Sequence, residues 1–219
     1  MYILEGNIGT GKSTFLGMLS EMYPSIKTEL EPIVTWQRED YGRSLLTNFY
    51  TDPYRWAFSM ETFTLCNRVH QHLADQQKPD PLLVERSIYS GHYCFAQNSY
   101  QSGFLSDIEW KKYLSMRSTL TNNYCKPPRG FIYLRTDPYT SISRIQKRNR
   151  AGENLISFEY INDIHYRHEL FLIKKFCVEQ DIIDTPVLVL DCTQEFETDP
   201  VVMDRFAQAV ISFIAYTNE

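Results

Sequence analysis

The sequence predicts an α/β fold, with a five-stranded parallel sheet between two layers of helices in one domain spanning residues 1–219. Three observations carry this. Short apolar runs alternate along the chain with longer amphipathic stretches, the pattern of strand–helix–strand crossovers. The runs show no polar alternation, as expected of strands covered on both faces. Finally, 219 residues with 43% apolar and 14% aromatic content suit one globular domain and not a disordered chain.

Taken in order, the apolar runs at 2–5, 26–30, 82–85, 130–134 and 187–191 are the candidate strands. A helix is expected from Lys12 to Glu21. Asp52-Pro53 opens the next, to about Ala74, with Asp52 as N-cap and Pro53 in the first turn. Its residues Trp56, Met60, Phe63, Asn67, His70 and Leu73 recur at helical spacing. Ser106-x-x-Glu109 is a capping-box pattern that starts another helix. Asp137-Pro138 starts one that ends on basic residues near Asn149. Stretches 158–179 and 200–215 are read as the last two helices. In such a sheet, ligands sit beyond the carboxyl ends of the strands.

Gly6-Asn7-Ile8-Gly9-Thr10-Gly11-Lys12-Ser13 matches G-x-x-x-x-G-K-[ST] between a predicted strand and a predicted helix, followed by Thr14. This is a P-loop. Glycines let backbone N–H groups turn onto phosphate oxygens, and the helix N-terminus adds partial positive charge. Lys12 is expected at the β- and γ-phosphates and Ser13 on Mg²⁺. The sequence therefore points to a nucleoside triphosphate whose γ-phosphoryl group is transferred or hydrolysed. A switch GTPase would carry Asn-Lys-x-Asp, which is absent from the sequence, and size and acidity exclude a helicase or motor. Phosphorylation of a small molecule remains.

Five further segments resemble one family, the deoxynucleoside kinases of the deoxycytidine, deoxyguanosine and mitochondrial thymidine kinase type. They are Glu31-Pro32-Ile33-Val34-Thr35-Trp36, Trp56 to Phe63, Glu85-Arg86-Ser87-Ile88-Tyr89-Ser90, the basic run from Arg144 to Arg150 followed by Glu153, and Ile164-His165-Tyr166-Arg167-His168-Glu169. They occur in order over nearly the whole chain. The resemblance implies the P-loop kinase fold with a helical, arginine-rich lid at about 144–157. It implies ATP as phosphate donor, Mg²⁺, a deoxynucleoside acceptor and a homodimer built from the helices around 56–73 and 89–96.

It also implies roles. Glu31 would be the general base on the 5′-hydroxyl, a chemistry open to a carboxylate at a strand's carboxyl end. Glu85 would hold the Mg²⁺ shell, and Arg86 would orient the hydroxyl and neutralise developing charge. Arg144, Arg148 and Arg150 would close over the triphosphate, since guanidinium groups bind phosphate bidentately. Tyr50 and Glu153 match the pair on the 3′-hydroxyl. Ile33, Trp36, Met60 and Phe95 match positions around the base, and Glu195-Phe196 the loop over adenine. His165 and His168 have metal-pair spacing but no third ligand, and are read as structural.

The sequence departs from the family at two positions. Glu61 stands where relatives usually carry Gln. An ionised carboxylate only accepts hydrogen bonds, which suits the adjacent N1–H and N2–H₂ donors of guanine. Thymine, adenine and cytosine each put a donor beside an acceptor and need a protonated Glu61 or lose a hydrogen bond. Arg68, two helical turns on, can reach guanine O6 and N7 or can pair with Glu61. Gly91 stands where relatives have Asp or Ala. The expectation is a preference for deoxyguanosine or other purine deoxynucleosides, with a broad or pyrimidine preference as rival. A nucleoside monophosphate kinase and a non-catalytic relative are the alternatives from other classes. The first would show an aspartate-arginine pair where this chain has Glu85-Arg86, and the second would not need Lys12, Ser13, Glu31, Arg86 and the lid arginines together.

The net charge of −5 and a pI near 5.6 exclude a nucleic-acid partner. Four cations lie between Arg144 and Arg150, which leaves 18 against 27 acids elsewhere, an acidic body with one basic lid. No run reaches the roughly 18 apolar residues of a membrane span. No basic or Ser-rich leader opens the chain, so a cytoplasmic location is expected, although a removed presequence would leave no trace. Five widely spaced cysteines are read as reduced, buried thiols.

Overall fold

The computed structural model describes residues 1–32, 44–79, 81–122, 124–150 and 152–217. Its sheet comprises β1 (Tyr2–Glu5), β2 (Lys27–Glu29), β3 (Leu82–Glu85), β4 (Gly130–Arg135) and β5 (Val187–Asp191), in the order β2-β3-β1-β4-β5, with every pair parallel. β1 is central: Ile3 pairs in register with Val84 on one side and Phe131 on the other.

The sheet has two apolar faces because alternate residues of each strand point to opposite sides. Tyr2 and Leu4 of β1, with Ile132 and Leu134 of β4, pack against α1 (Lys12–Met22) and α10 (Pro200–Tyr216) through Phe15, Leu19, Phe206 and Val210. Ile3, Phe131 and Tyr133 face the other way. There they meet Leu65 and Val69 of α3 (Pro53–Asp75) and Tyr113 of α6 (Asp107–Thr121). The result is the three-layer α/β/α arrangement expected from the continuous apolar runs.

The predicted helix starts are borne out. The Asp52 carboxylate accepts from Arg55 N at 3.2 Å, Asp137 from Thr140 N at 2.9 Å, and Ser106 and Glu109 form a reciprocal capping box. Such caps satisfy amides that no helical carbonyl reaches. Three expectations need correction. A short helix, α2 (Leu45–Thr51), lies where none was expected, capped by Ser44 Oγ accepting from Thr47 N at 3.0 Å. The buried face of α3 is Ala57, Met60, Glu61, Thr64, Leu65, Val69, His72 and Asp75, and of the residues at 56–60–63–67–70–73 only Met60 belongs to it. The helix expected over 158–179 ends early: α8 (Phe158–His168) runs into a π-helical stretch (Glu169–Ile173), and Lys175 and Cys177 then take left-handed backbone angles. The wide turn carries Glu169 to Arg135, with two hydrogen bonds of 2.9 and 2.8 Å, and to Tyr133 Oη at 3.0 Å. A last short helix, α9 (Gln180–Ile183), precedes β5.

After β3 the chain forms α4 (Ile88–Ser90), a π-helical stretch (Gly91–Ala96) and α5 (Gln97–Gln101). Every residue from Ile88 to Cys94, and Ala96, is buried inside the protomer. This stretch therefore offers no face to a second copy, contrary to expectation. Of the five cysteines, all free, Cys94 and Cys192 are buried but Cys66 and Cys177 are exposed, which corrects the reading of uniformly buried thiols.

Candidate active site

The loop from Gly6 to Gly11 leaves the carboxyl end of β1 and enters α1. Gly9 and Gly11 sit at φ of 81° and 86°, conformations that L side chains rarely adopt. A Cβ at Gly11 would also lie 2.8 Å from the Phe196 ring. The polar side chains of the loop face inward: Asn7 Nδ2 donates to Ile161 O at 2.8 Å and Thr10 Oγ1 to Asn7 O at 3.2 Å. They shape the loop and leave the ligand to its amides. Lys12 Nζ donates to Asn7 O at 2.7 Å and Gly6 O at 3.2 Å. Burial takes its ammonium out of water and brings its pKa down to about 7, with Arg86 adding repulsion.

One cavity collects most of the predicted residues. Ile8, Gly9, Lys12 and Ser13 of the loop form one end, with Glu31, Glu85 and Arg86 beside them. Tyr50, Met60, Glu61, Arg68 and Phe95 continue it between α2, α3 and the π-helical stretch, and Arg148, Arg150 and Glu153 close it from the lid. A second cavity lies across the loop, lined by Gly11, Thr14, Arg144, Lys147, Glu195 and Phe196. Gly9 and Arg148 line both, so the two meet at the P-loop.

Glu31 is held by two cations, with Arg68 Nη2 donating to Oε1 at 2.7 Å and Arg86 Nε to Oε2 at 3.0 Å. Burial favours the neutral acid, but the two guanidinium groups outweigh it and hold its pKa below the usual value. Arg86 has a left-handed backbone at φ 64°, although it is not glycine, and its amide bonds Leu4 O at 2.9 Å. That strained residue turns the chain from β3 toward the cavity. The Arg86 guanidinium stacks over Phe95 at 4.8 Å. Ser13 Oγ donates to both Glu85 oxygens, at 3.1 and 2.9 Å. A hydroxyl and a carboxylate side by side are hard oxygen donors, the set that suits Mg²⁺ near phosphates.

The segment expected as a lid comprises the end of α7 (Pro138–Arg148), closed by Asn149 in a left-handed cap, and a 3₁₀ turn (Glu153–Leu155). Arg148 grips the buried Glu153 with hydrogen bonds of 2.8, 2.9 and 3.1 Å. Arg150 lies past the helix, 3.5 Å from the same carboxylate. Arg144 turns to the second cavity and bonds Cys192 O at 2.9 Å. Phe196 is buried at 2% exposure against Phe15, so its ring is a core group under the loop as well as a wall. Gly91 shapes the site indirectly. Arg68 Nη1 occupies the space a side chain there would need, 2.6 Å from the position of a Cβ. Ile33 and Trp36 lie outside the described residues.

Glu61 was open to pairing with Arg68. Instead Arg68 turns to Glu31, and Glu61 Oε1 accepts from Ser99 Oγ of α5 at 2.8 Å. Burial raises the Glu61 pKa to about 7 against the opposing Ser99 bond. His168 is completely buried, stacked on Tyr133, with Nδ1 on Ile164 O at 2.8 Å, and desolvation brings its pKa down to about 3. It is a core residue. Three contributors were not found from sequence. Ser99 lies 38 residues from its partner. Tyr160 meets the Tyr50 ring edge-on at 6.0 Å. Glu5, fully buried, accepts from Ser87 Oγ at 2.5 Å and ties the P-loop strand to the Glu85-Arg86-Ser87 turn.

The deoxynucleoside kinase family model matches residues 2–215. The chain belongs to the deoxynucleoside kinase family. It is 32% identical to deoxycytidine kinase 2 of Gallus gallus, over 96% of this chain and 89% of that protein. It is 31% identical to the deoxycytidine kinase of Homo sapiens, over 89% and 84%, and 30% identical to the mitochondrial deoxyguanosine kinase of Xenopus laevis, over 97% and 88%. As a kinase of this family it takes ATP as its phosphate donor and deoxynucleosides as acceptors. Among the described residues, no helix is long and apolar enough to cross a membrane.

Proposed function

We propose that this kinase transfers the γ-phosphoryl group of ATP to the 5′-hydroxyl of a 2′-deoxynucleoside, with a preference for deoxyguanosine and other purine deoxynucleosides. The observation that carries the reading is the convergence of Lys12, Ser13, Glu31, Glu85, Arg86 and Arg148 on one cavity that continues into an aromatic and carboxylate-lined recess. The triphosphate lies along the loop amides, with adenine toward the cavity of Thr14, Arg144 and Glu195. The deoxynucleoside lies with its base between Met60, Glu61, Arg68 and Phe95, and its sugar by Tyr50 and Glu153.

Glu31 is the general base. Each of its oxygens holds one arginine and keeps a lone pair for the 5′-hydroxyl proton. As that proton passes to the carboxylate, the 5′-oxygen bonds to the γ-phosphorus and the bond to ADP breaks. Arg86, Lys12 and Arg148 neutralise the charge on the transferred group. Mg²⁺ held by Ser13 and Glu85 would neutralise and orient the β- and γ-oxygens when bound. Arg148 has to leave Glu153 to do its part, so acceptor and lid share that carboxylate. The preference for deoxyguanosine rests on the acceptor oxygens of Glu61 and on Arg68 in the same recess, and a deoxyguanosine kinase is among the similar proteins. A homodimer is part of the same reading, supported by Phe63 of α3 and Ile108, Leu114 and Met116 of α6, all exposed.

The test is phosphoryl transfer from ATP with Mg²⁺ to the four natural deoxynucleosides and to their monophosphates. Monophosphate formed from nucleosides, best from deoxyguanosine, is expected. Equal or better use of thymidine refutes the purine preference, and transfer only to monophosphates refutes the acceptor.

A further inference from the structure

Among the described residues, Glu61 in the recess forms no ion pair, unlike Glu31 and Glu153 of the same cavity. Glu61 lies at 5% exposure, its Oε1 taken by Ser99 Oγ, and Oε2 has no hydrogen-bond partner among the described residues. Arg68, on the same helix and already charged, is committed to Glu31 at 2.7 Å and kept there by the space at Gly91. The other titratable groups acting on Glu61 are phenols: Tyr50 of α2, Tyr113 of α6 and Tyr160 of α8. Burial raises all three above the ordinary tyrosine value, so they stay neutral at working pH. Ser99 itself is fully buried in α5, in the element that carries the fold around the end of the recess.

Ser99 can only donate to Oε1 while its proton points there. That leaves Oε2 as the position for a proton on Glu61. The carboxyl therefore has two faces to offer a base. Neutral, it shows an O–H donor beside an acceptor oxygen, the pattern of a glutamine amide. That suits adenine, cytosine and thymine edges, and also guanine read through O6 and N1–H. Ionised, it shows acceptors alone, which fits only the paired N1–H and N2–H₂ donors of guanine.

We propose that Ser99 is a specificity-determining residue, which by holding Glu61 Oε1 sets the orientation and the protonation of the carboxyl that reads the base. This rests on the nucleoside-kinase reading above. Deoxyguanosine is then accepted by both forms of Glu61, and the other deoxynucleosides by the neutral form alone. With the carboxyl titrating at about 7, the neutral fraction falls about tenfold between pH 6 and 8. Losing the Ser99 bond removes a contact that favours the ionised form, so the neutral form persists to higher pH.

The experiment measures kcat/KM for deoxyguanosine, deoxyadenosine and deoxycytidine from pH 6 to 9, in the wild type, Ser99→Ala and Glu61→Gln, and reports ratios between substrates. Ratios cancel the titration of Lys12 and of any group common to all acceptors. In the wild type, the ratio of deoxyguanosine to either other substrate is expected to rise about tenfold or more between pH 6 and 8. In Ser99→Ala the same rise should move to higher pH, and in Glu61→Gln the ratio should be flat. A flat wild-type ratio overturns the proposal, as does a Ser99→Ala curve that superimposes on the wild type. If no deoxynucleoside is phosphorylated by any of the three proteins, the underlying functional reading fails instead.

Discussion

Replacing Glu31 with Gln separates the chemistry of this kinase from its architecture. The carboxylate receives two charge-assisted hydrogen bonds, from Arg68 at 2.7 Å and Arg86 at 3.0 Å, with its side chain at 8% exposure. The amide keeps one acceptor oxygen, but its NH₂ faces a guanidinium it cannot satisfy. Breaking a buried ion pair by removing one partner costs about 3–5 kcal/mol. The retained oxygen offsets part of that, so a loss of about 2–3 kcal/mol of stability is expected, or ~4–12 °C in Tm for a chain of this size. Catalysis loses its proton acceptor, and general-base contributions run to about 10²–10⁴ in rate. ATP bonds to the loop and not to Glu31, so its affinity should hold within about threefold. The assay is steady-state kcat with saturating ATP, Mg²⁺ and deoxynucleoside, at a temperature where circular dichroism shows the variant folded, together with ATP titration by calorimetry. A kcat within threefold of the wild type would refute the assignment of the base. A collapse of ATP affinity alongside kcat would show that Glu31 acts through the fold.

Two further outcomes test other parts of the account. Gly11→Ala places a Cβ at φ 86° and 2.8 Å from the Phe196 ring, which is itself wedged at 5.8 Å on Phe15. Left-handed strain of about 1–2 kcal/mol and overpacking should lower Tm and weaken ATP at least tenfold, while unchanged ATP affinity by calorimetry would contradict the loop geometry. His168 is buried with its pKa brought down to about 3, so between pH 6.5 and 3 the unfolded chain binds a proton that the folded one refuses. Its contribution is present above pH 6.5 and is lost as pH falls, by about 2 kcal/mol at pH 5. Glu61 acts in the opposite sense over pH 7 to 4.5, because its folded pKa is raised. The comparison is therefore between proteins: urea unfolding of His168→Phe should lose about 2 kcal/mol less than the wild type from pH 7 to 5. Equal losses would show that His168 is not the group being protonated.

The parts of this protein that were legible in its sequence are those written in local chemistry. The P-loop needs glycine at Gly9 and Gly11 for backbone reasons and Lys12 for charge, so eight consecutive residues carried it. Caps at Asp52, Ser106 and Asp137 act within three residues and were read directly. Features set by distant partners were not legible. The π-helical turn after His168 goes with a bond from Arg135 to Glu169, 34 residues apart. The buried face of α3 is chosen by the elements packed on it, and it includes Glu61 and Thr64, polar residues that an apolar stripe passes over. Gly91 read as a missing side chain in the base site, whereas its effect is the room it gives Arg68. Ser99 had no signal at all, since one serine in an ordinary helical segment says nothing of the carboxylate it will meet.

The most direct test of the central claim is the product of a single incubation with ATP, Mg²⁺ and a mixture of deoxynucleosides and their monophosphates, resolved by chromatography. Deoxynucleoside monophosphate and ADP are expected in equal amounts, abolished in Lys12→Ala and reduced at least a hundredfold in Glu31→Gln. Diphosphates arising from the added monophosphates, with the nucleosides untouched, would contradict it.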